Sequence, residues 1–304
     1  MVKVALFGYS GSGKTALFRY LTGKKEEIYD PFKPNIGVGI YKDSNIDRIT
    51  EIHKARKTVY PEFEIFDFKG FPLSQGFPAH YFAPFFDMDV IVCVANNFSE
   101  DASPEKEASS LLMELILYDT ETIQSILQKK QEEGTAGISP QQAEALKKGL
   151  NLLEDEHLLN EMADTDKKMI SGIQLLTTRH VLVYINGEKQ QIKNLPNCPY
   201  LIQKEPDGVP FYTSIMQALS LMRFYTIKGE IVQGWVIPSS YTARQAAGKI
   251  HKDIEKGFIK AAVLSIKDFI EIGSWQAAKN MGALKFLGPN SPLSDGDIVE
   301  FYFH

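Results

Sequence analysis

One stretch near the start of the chain, Gly8-Tyr9-Ser10-Gly11-Ser12-Gly13-Lys14-Thr15, constrains the fold more than any other. The apolar run of residues 2–7 leads into it, and Ala16-Leu17-Phe18-Arg19-Tyr20-Leu21 leaves it at helical spacing. G-x-x-x-x-G-K-T between a strand and a helix is a phosphate-binding P-loop. Its glycines let successive backbone N–H groups turn inward around a triphosphate, and the helix N-terminus adds the positive end of its dipole. In that geometry Lys14 reaches the β- and γ-phosphates, and the Thr15 hydroxyl binds Mg²⁺. Gly8, Ser10, Gly11, Ser12, Gly13 and Ala16 complete the candidate nucleotide-binding set. A chance match in a glycine-rich turn lacks the flanking strand and helix. The stretch predicts an α/β chain that binds a nucleotide.

Two strands are expected at residues 36–41 and 59–67. The second ends in Asp67-Phe68-Lys69-Gly70, a D-x-x-G. In P-loop NTPases an Asp there orders the Mg²⁺ shell, and the glycine amide senses the γ-phosphate. Asp67 thus joins Thr15 as a candidate metal residue, and Gly70 joins Lys14 in positioning phosphate. The alternative for these four residues is a plain strand-ending turn. No side chain stands out as a catalytic base. Residues 90–95, V-I-V-C-V-A, form a continuous apolar strand of the kind buried on both faces of a parallel sheet.

The pattern then changes. Ser103-Pro104-Glu105 opens a helix with an N-cap and a proline at its first position. Leu112, Leu115, Ile116, Ile123, Ile126 and Leu127 hold one apolar stripe, and Gly134-Thr135-Ala136-Gly137 marks a turn. A second helix from Ser139-Pro140 carries Ala143, Leu146, Leu150 and Leu153 three and four apart, an antiparallel seam. Residues 104–164 read as a helical hairpin inserted into the nucleotide domain, with ordinary domain helices as the alternative. A further helix is expected at 166–178. Residues 181–185 are a core strand that delivers Asn186-Gly187-Glu188-Lys189. A G-protein carries N-K-x-D at this place, its Asp pairing with guanine. Position 189 is Lys, so that carboxylate is missing, and Asn186 and Glu188 are left as the candidate base-side residues. Residues 196–210 read as a proline-rich loop and 214–222 as a short closing helix.

Past residue 223 the pattern is strand, helix, strand and short helix, with Ser294-Asp295-Gly296-Asp297 turning into a final strand. That order predicts a β-grasp, ubiquitin-like module. Arg244, Lys249, Lys252, Lys256 and Lys260 outnumber Asp253 and Glu255 within it, a surplus that fits RNA or an ordinary solvated face. The expected domains are residues 1–103 with 165–222, then 104–164, then 223–304.

A formal net charge of −5 argues against wholesale nucleic-acid coating, and no DNA partner is expected. Cys93 and Cys198 lie far apart on apolar stretches, which fits a reducing compartment rather than a disulfide framework or metal site. The N-terminal residues enter a core strand directly, and no apolar run approaches membrane-spanning length. The expectation is a cytoplasmic chain without a membrane partner.

The same residues resemble the YchF or Obg-like ATPases, in the Obg branch of translation-factor GTPases. Ala246-Ala247-Gly248-Lys249-Ile250-His251, followed by Asp253-Ile254-Glu255-Lys256-Gly257-Phe258-Ile259, is similar to the family's A-A-G-x-I-H-x-D-F-E-K-G-F-I signature. Asp268-Phe269-Ile270 and Asp295-Gly296-Asp297 also match its TGS-like domain. Pro34-Asn35-Ile36-Gly37 resembles E-P-N-x-G after switch I. Leu115-Ile116-Leu117 with Asp119, Glu121 and Thr122 resembles L-x-L-A-D-L-E-T of the helical insert. Leu175-Leu176-Thr177 matches before the fourth motif. The resemblance covers nearly the whole chain. It implies a P-loop G-domain with a mostly parallel sheet, a helical insert and a TGS-like β-grasp domain. It also implies Mg²⁺, ATP or GTP, weak hydrolysis, and a ribosome or other RNA particle met through the tail and insert.

Three departures bear on mechanism. No threonine aligns with that of the family's C-T-I-E-P-N, because Asp30-Pro31-Phe32-Lys33 precedes Pro34-Asn35 instead. The family's N-x-x-E goes with ATP preference, whereas Glu188 falls one residue early. Phe71 follows Gly70 where Ras-type enzymes place a water-orienting Gln; the family is apolar there too, and slow intrinsic hydrolysis follows. A second reading is therefore a degenerate P-loop scaffold or RNA-binding protein that holds nucleotide without turnover. A P-loop kinase is disfavoured by the D-x-x-G, the insert and the tail.

Overall fold

This computed structural model describes residues 1–24, 33–72, 74–133, 137–204 and 206–304. Most of the loop expected through residues 29–35, where the switch threonine is lacking, and most of the turn at 134–137 lie outside the described residues. The chain forms two compact units, residues 1–39 with 63–218 and residues 40–62 with 219–304.

Strand β1 (Val2–Phe7), helix α1 (Lys14–Thr22) and strand β2 (Asn35–Ile40) open the first unit. Helix α2 (Ser44–His53) and strand β3 (Lys57–Val59) belong to the second. The chain returns to the first with β4 (Glu62–Asp67) and β5 (Val90–Asn96), then the pair α3 (Pro104–Glu133) and α4 (Pro140–Glu154). Helix α5 (Asp164–Ile170), strands β6 (His180–Asn186) and β7 (Tyr200–Gln203) and helix α6 (Gly208–Ala218) complete it.

The first sheet has the order β2-β4-β1-β5-β6-β7. β1 runs parallel to both β4 and β5, β5 to β6, and β6 to β7. Residues 90–95 of β5 are all buried, as a strand covered on both faces must be. Because β1 has its two parallel neighbours on opposite sides, the crevice beyond its C-terminal end is a topological switch point, where open α/β sheets place ligands. The register Leu6↔Asp67 brings the ends of β1 and β4 together there.

α4 starts as expected, with Ser139 in a reciprocal capping box with Gln142 and Pro140 in the first turn. The stripe of α3 has a second duty. Ala108, Leu111, Leu112 and Leu115 share one core with Phe7, Ile91 and Cys93 of the sheet, while Ile123 and Leu146 extend that core along the helix pair. Within the stripe sits Asp119, fully buried, accepting hydrogen bonds from the Leu176 and Thr177 amides (both 2.7 Å) and the Thr177 hydroxyl (2.6 Å). Burial pushes its carboxyl up to about 6 despite those donors. α5 ends at Ile170 rather than running to 178, and residues 176 and 177 donate to Asp119 instead of to a helix. The expected loop at 196–210 also contains the edge strand β7, and α6 begins earlier than the predicted 214.

The second unit continues with β8 (Leu221–Lys228), β9 (Ile231–Pro238), α7 (Ala243–Ile250) and α8 (Lys252–Lys256). It ends with β10 (Phe258–Ser265), α9 (Ile266–Ile272), α10 (Trp275–Asn280), β11 (Lys285–Leu287) and β12 (Asp297–Phe303). Its sheet order is β11-β10-β12-β8-β9-β3. The β8–β9 hairpin, the parallel pairing of the last strand with β8 and the antiparallel β10–β12 pair define a β-grasp. Ala243 and Ala246 of α7 cover one sheet face with Phe224, Ile237 and Val263. On the DGD turn, Asp295 holds the Arg223 guanidinium at 2.6 and 3.1 Å and accepts the Arg223 amide at 2.6 Å.

Residues 40–62 fall inside the sequence-derived limits of the nucleotide domain, yet they pack with this unit. Ile46 and Ile49 of α2 close the other sheet face with Tyr225, Val232, Leu264 and Ile298. The single strand expected at 59–67 is two strands in two sheets, broken at Tyr60-Pro61. Proline cannot donate to a ladder, so pairing is interrupted there and the chain changes sheets. Among the described residues no helix is long and apolar enough to cross a membrane.

Candidate functional site

The loop from Gly8 to Gly13 leaves β1 and becomes the N-terminus of α1. Gly11 and Gly13 hold φ of 84° and 87°, the left-handed region in which a side chain is strained, and Gly13 caps the helix in that conformation. Gly13 has a second reason to lack a side chain: a Cβ would fall 2.1 Å from Asn186 Nδ2. The resulting pocket, about 310 Å³, is lined by Ser10, Gly11, Gly13, Lys14, Thr15, Ala16, Phe68 and Gly70. Gly8 and Ser12 lie beneath it, where a Cβ on Gly8 would meet the Val94 carbonyl at 2.5 Å.

Lys14 is 5 % exposed and donates from Nζ to the Gly8 and Tyr9 carbonyls at 2.7 and 2.8 Å. Burial lowers its pKa to about 8, partly opposed by the carboxylates of Asp67 and Glu107. Glu107 of α3 accepts the Asn96 amide at 2.9 Å, and burial raises its own pKa. Tyr9, also buried, turns toward Ser110 and Glu114 of α3, and burial pushes its phenol up to about 12. Nothing in the local pattern around Glu107 separates it from other first-turn acidic residues, so sequence reasoning passed over it.

Thr15 Oγ1 donates to Asp67 Oδ2 at 2.8 Å, which places the two predicted metal residues side by side although they are far apart in sequence. A hydroxyl and a carboxylate are hard oxygen donors of the type Mg²⁺ takes, and Mg²⁺ commonly completes its shell with water and substrate phosphate. The pair fits such an ion. Among the described residues no group of three or more His, Cys, Asp or Glu forms a metal site of another kind.

The D-x-x-G segment closes over the loop. Ser10 Oγ donates to the Gly70 carbonyl at 2.8 Å and the Ser10 amide to the Phe71 carbonyl at 2.9 Å. The Phe71 ring is held edge-on by Phe77 and Tyr81, both at 5.5 Å.

At the other end of the pocket, Asn186 donates from Nδ2 to the Ser12 carbonyl at 3.1 Å and braces the loop from behind. Glu188 is exposed, does not line the phosphate pocket, and pairs with Lys204 at 2.9 Å. The 187–190 turn is organised by a residue that sequence reasoning missed, the fully buried Asn97. Its Nδ2 donates to the Gly187 and Gln190 carbonyls (3.3 and 3.2 Å), and its Oδ1 accepts the Gln190 amide at 2.8 Å. Gly187, at φ 108°, sits so close that a Cβ would lie 2.5 Å from the Asn97 carbonyl. Beside it, Phe98 is 51 % exposed and edges toward Gly13. An exposed aromatic after a buried strand was the available signal.

A parallel sheet with a P-loop at its switch point, a hydroxyl hydrogen-bonded to a carboxylate beside it and a D-x-x-G over the loop together define the P-loop NTPase fold. A family model described as YchF-GTPase_C, a protein of unknown function (DUF933), matches residues 221–304. The chain is 26 % identical to the Ribosome-binding ATPase YchF of Mycoplasma genitalium, over 100 % of each chain. It is 26 % identical to that of Escherichia coli O157:H7, over 99 % of each. A solved structure of the Schizosaccharomyces pombe YchF GTPase superposes with a TM-score of 0.81 at 19 % identity, covering 99 % of this chain and 97 % of that one. The chain is thus similar to YchF proteins over nearly its whole length, and its residues 221–304 match their C-terminal family model.

Proposed function

We propose that this chain is a Mg²⁺-dependent ATP- or GTP-binding switch with slow hydrolysis that acts on the ribosome in the cytoplasm. The observation that carries the reading is the convergence of Lys14, the Thr15–Asp67 pair and Gly70 on one pocket at a helix N-terminus. Gly8 and residues 10–16 hold the phosphates, Thr15 and Asp67 hold Mg²⁺, and the bound ion neutralises charge on the phosphates. Asn186 supports the base end, Phe98 offers a ring for the base to stack on, and Glu188 is the carboxylate carried by the 187–190 turn. Because Glu188 is tied to Lys204, its competition for a base amino group is weak, and so is the choice between adenine and guanine. Phe71 has no group to orient water, from which slow turnover is expected.

Ribosome binding comes from the relatives' names, and Arg244, Lys249, Lys252, Lys256 and Lys260, all exposed, support an RNA-facing tail. Replacing Lys249, Lys252 and Lys256 by Glu should abolish co-sedimentation with ribosomes at moderate salt; full retention would remove the tail from the contact. For the nucleotide reading, ATP and GTP should bind the native chain in calorimetry and fail to bind Lys14→Ala. Equal affinity in the two would sink it. A second reading, binding without turnover, is favoured by the absence of any threonine between Thr22 and Thr50. Phosphate release above the Lys14→Ala background, with ribosomes present, decides for the switch.

A further inference from the structure

The Ser10 side chain sits at an unusual junction. Its hydroxyl and its amide bond two successive carbonyls of the D-x-x-G segment, those of Gly70 and Phe71 (2.8 and 2.9 Å). Gly70 lies so close that a Cβ there would fall 2.7 Å from Lys14 Nζ, from Ser10 N and from the Tyr9 carbonyl carbon. Lys14 in turn donates to the Gly8 and Tyr9 carbonyls, on the floor of the same pocket. The Gly70 backbone therefore fills the space between Ser10 and the Lys14 ammonium. A P-loop lysine and the loop amides hold the β- and γ-phosphates in that region. A γ-phosphate on Lys14 would have to share that space with a Gly70–Phe71 backbone bonded to Ser10.

The Phe71 ring reinforces the closed arrangement through Phe77 and Tyr81. We propose that Ser10 is a positioning residue that latches residues 70–71 over the phosphate pocket, so that the chain holds a nucleoside diphosphate more tightly than a triphosphate. This rests on the nucleotide-binding reading above and adds to it a specificity. The γ-phosphate must break the latch to enter, and the diphosphate leaves it closed.

One net hydrogen bond corresponds to a factor of about three to ten in an equilibrium. Removing the hydroxyl in Ser10→Ala should raise the ratio of triphosphate to diphosphate affinity by that factor. Ser10→Thr, which keeps the hydroxyl, should hold the native ratio. The measurement is calorimetric titration of the full chain with ADP and with a non-hydrolysable ATP analogue, in Mg²⁺. Hydrogen exchange gives a second readout: the Ser10 amide should stay protected with ADP and exchange faster in Ser10→Ala. An unchanged affinity ratio in Ser10→Ala, or a native preference for the triphosphate, overturns the latch while leaving nucleotide binding intact. Failure of the native chain to bind either nucleotide overturns the nucleotide reading itself, and the latch with it.

Discussion

The two ends of the nucleotide site are built on different physics. The phosphate end is backbone: glycines at positive φ, amides at a helix N-terminus, and one buried ammonium. The proposed base end is the 187–190 turn, pinned by a buried side chain, Asn97, with the Glu188 carboxylate paired to Lys204. Backbone cradles recognise charge and tolerate sequence drift around them. The proposed site thus separates grip from discrimination, and that division can be attacked from either end.

The largest effect should come from Lys14→Ala, which removes the only ammonium lining the pocket among the described residues. A loss of at least about 100-fold in affinity for ATP, GTP and inorganic tripolyphosphate alike is expected, since uncompensated phosphate charge in a partly desolvated site is costly. A tripolyphosphate affinity that survives would move the grip elsewhere.

Titrating pH should give about a tenfold effect. Lys14, held at about 8 by burial, is charged at pH 7 and mostly neutral at pH 9, so tripolyphosphate affinity should fall about tenfold over that interval. Stability must move the opposite way. The unfolded chain, titrating near 10.5, binds more protons than the folded one between about 8 and 10.5, so this group's contribution to folding rises with pH there. Urea unfolding and calorimetry at matched pH values test the opposite signs.

Asn97→Ala sharpens the comparison from the other side. It leaves two carbonyls and one amide of the 187–190 turn without their partner. ATP and GTP affinities should drop about tenfold, at a cost of the order of 1–3 kcal/mol, with tripolyphosphate affinity retained. Thermal unfolding of the variant checks that the domain still folds. If tripolyphosphate binding falls in parallel, the two ends are one structure.

Glu188→Gln should matter least. An exposed ion pair contributes under about 1 kcal/mol, so each nucleotide affinity should change by less than about threefold. A larger, base-specific change in the ATP to GTP ratio would make Glu188 the base reader.

The phosphate end was legible because its geometry is local. Gly11, Gly13 and Lys14 are contiguous with α1, and their conformational requirements are written in residue type. The β-grasp was legible for a related reason: its strand and helix periods and its D-G-D turn follow in chain order. The helical pair was legible from spacing and from the Ser139–Gln142 cap, but the burial of Asp119 against residues 176–177 was not, since a mid-helix Asp reads as solvent-facing until its distant donors are known. Asn97 was missed for the same reason: its partners lie on another strand's loop.

By itself, the sequence determined a glycine loop between a buried parallel strand and a helix N-terminus, because backbone conformation and helix dipole depend on a few adjacent residues. Only the tertiary structure decided that Thr15 meets Asp67, that Ser10 is bonded to Gly70, that Glu188 turns to Lys204, and that residues 40–62 complete the second unit. Each of these is a contact between residues far apart in the chain. Its geometry is fixed by strand register and by which apolar faces find cover, and neither is encoded in any local window.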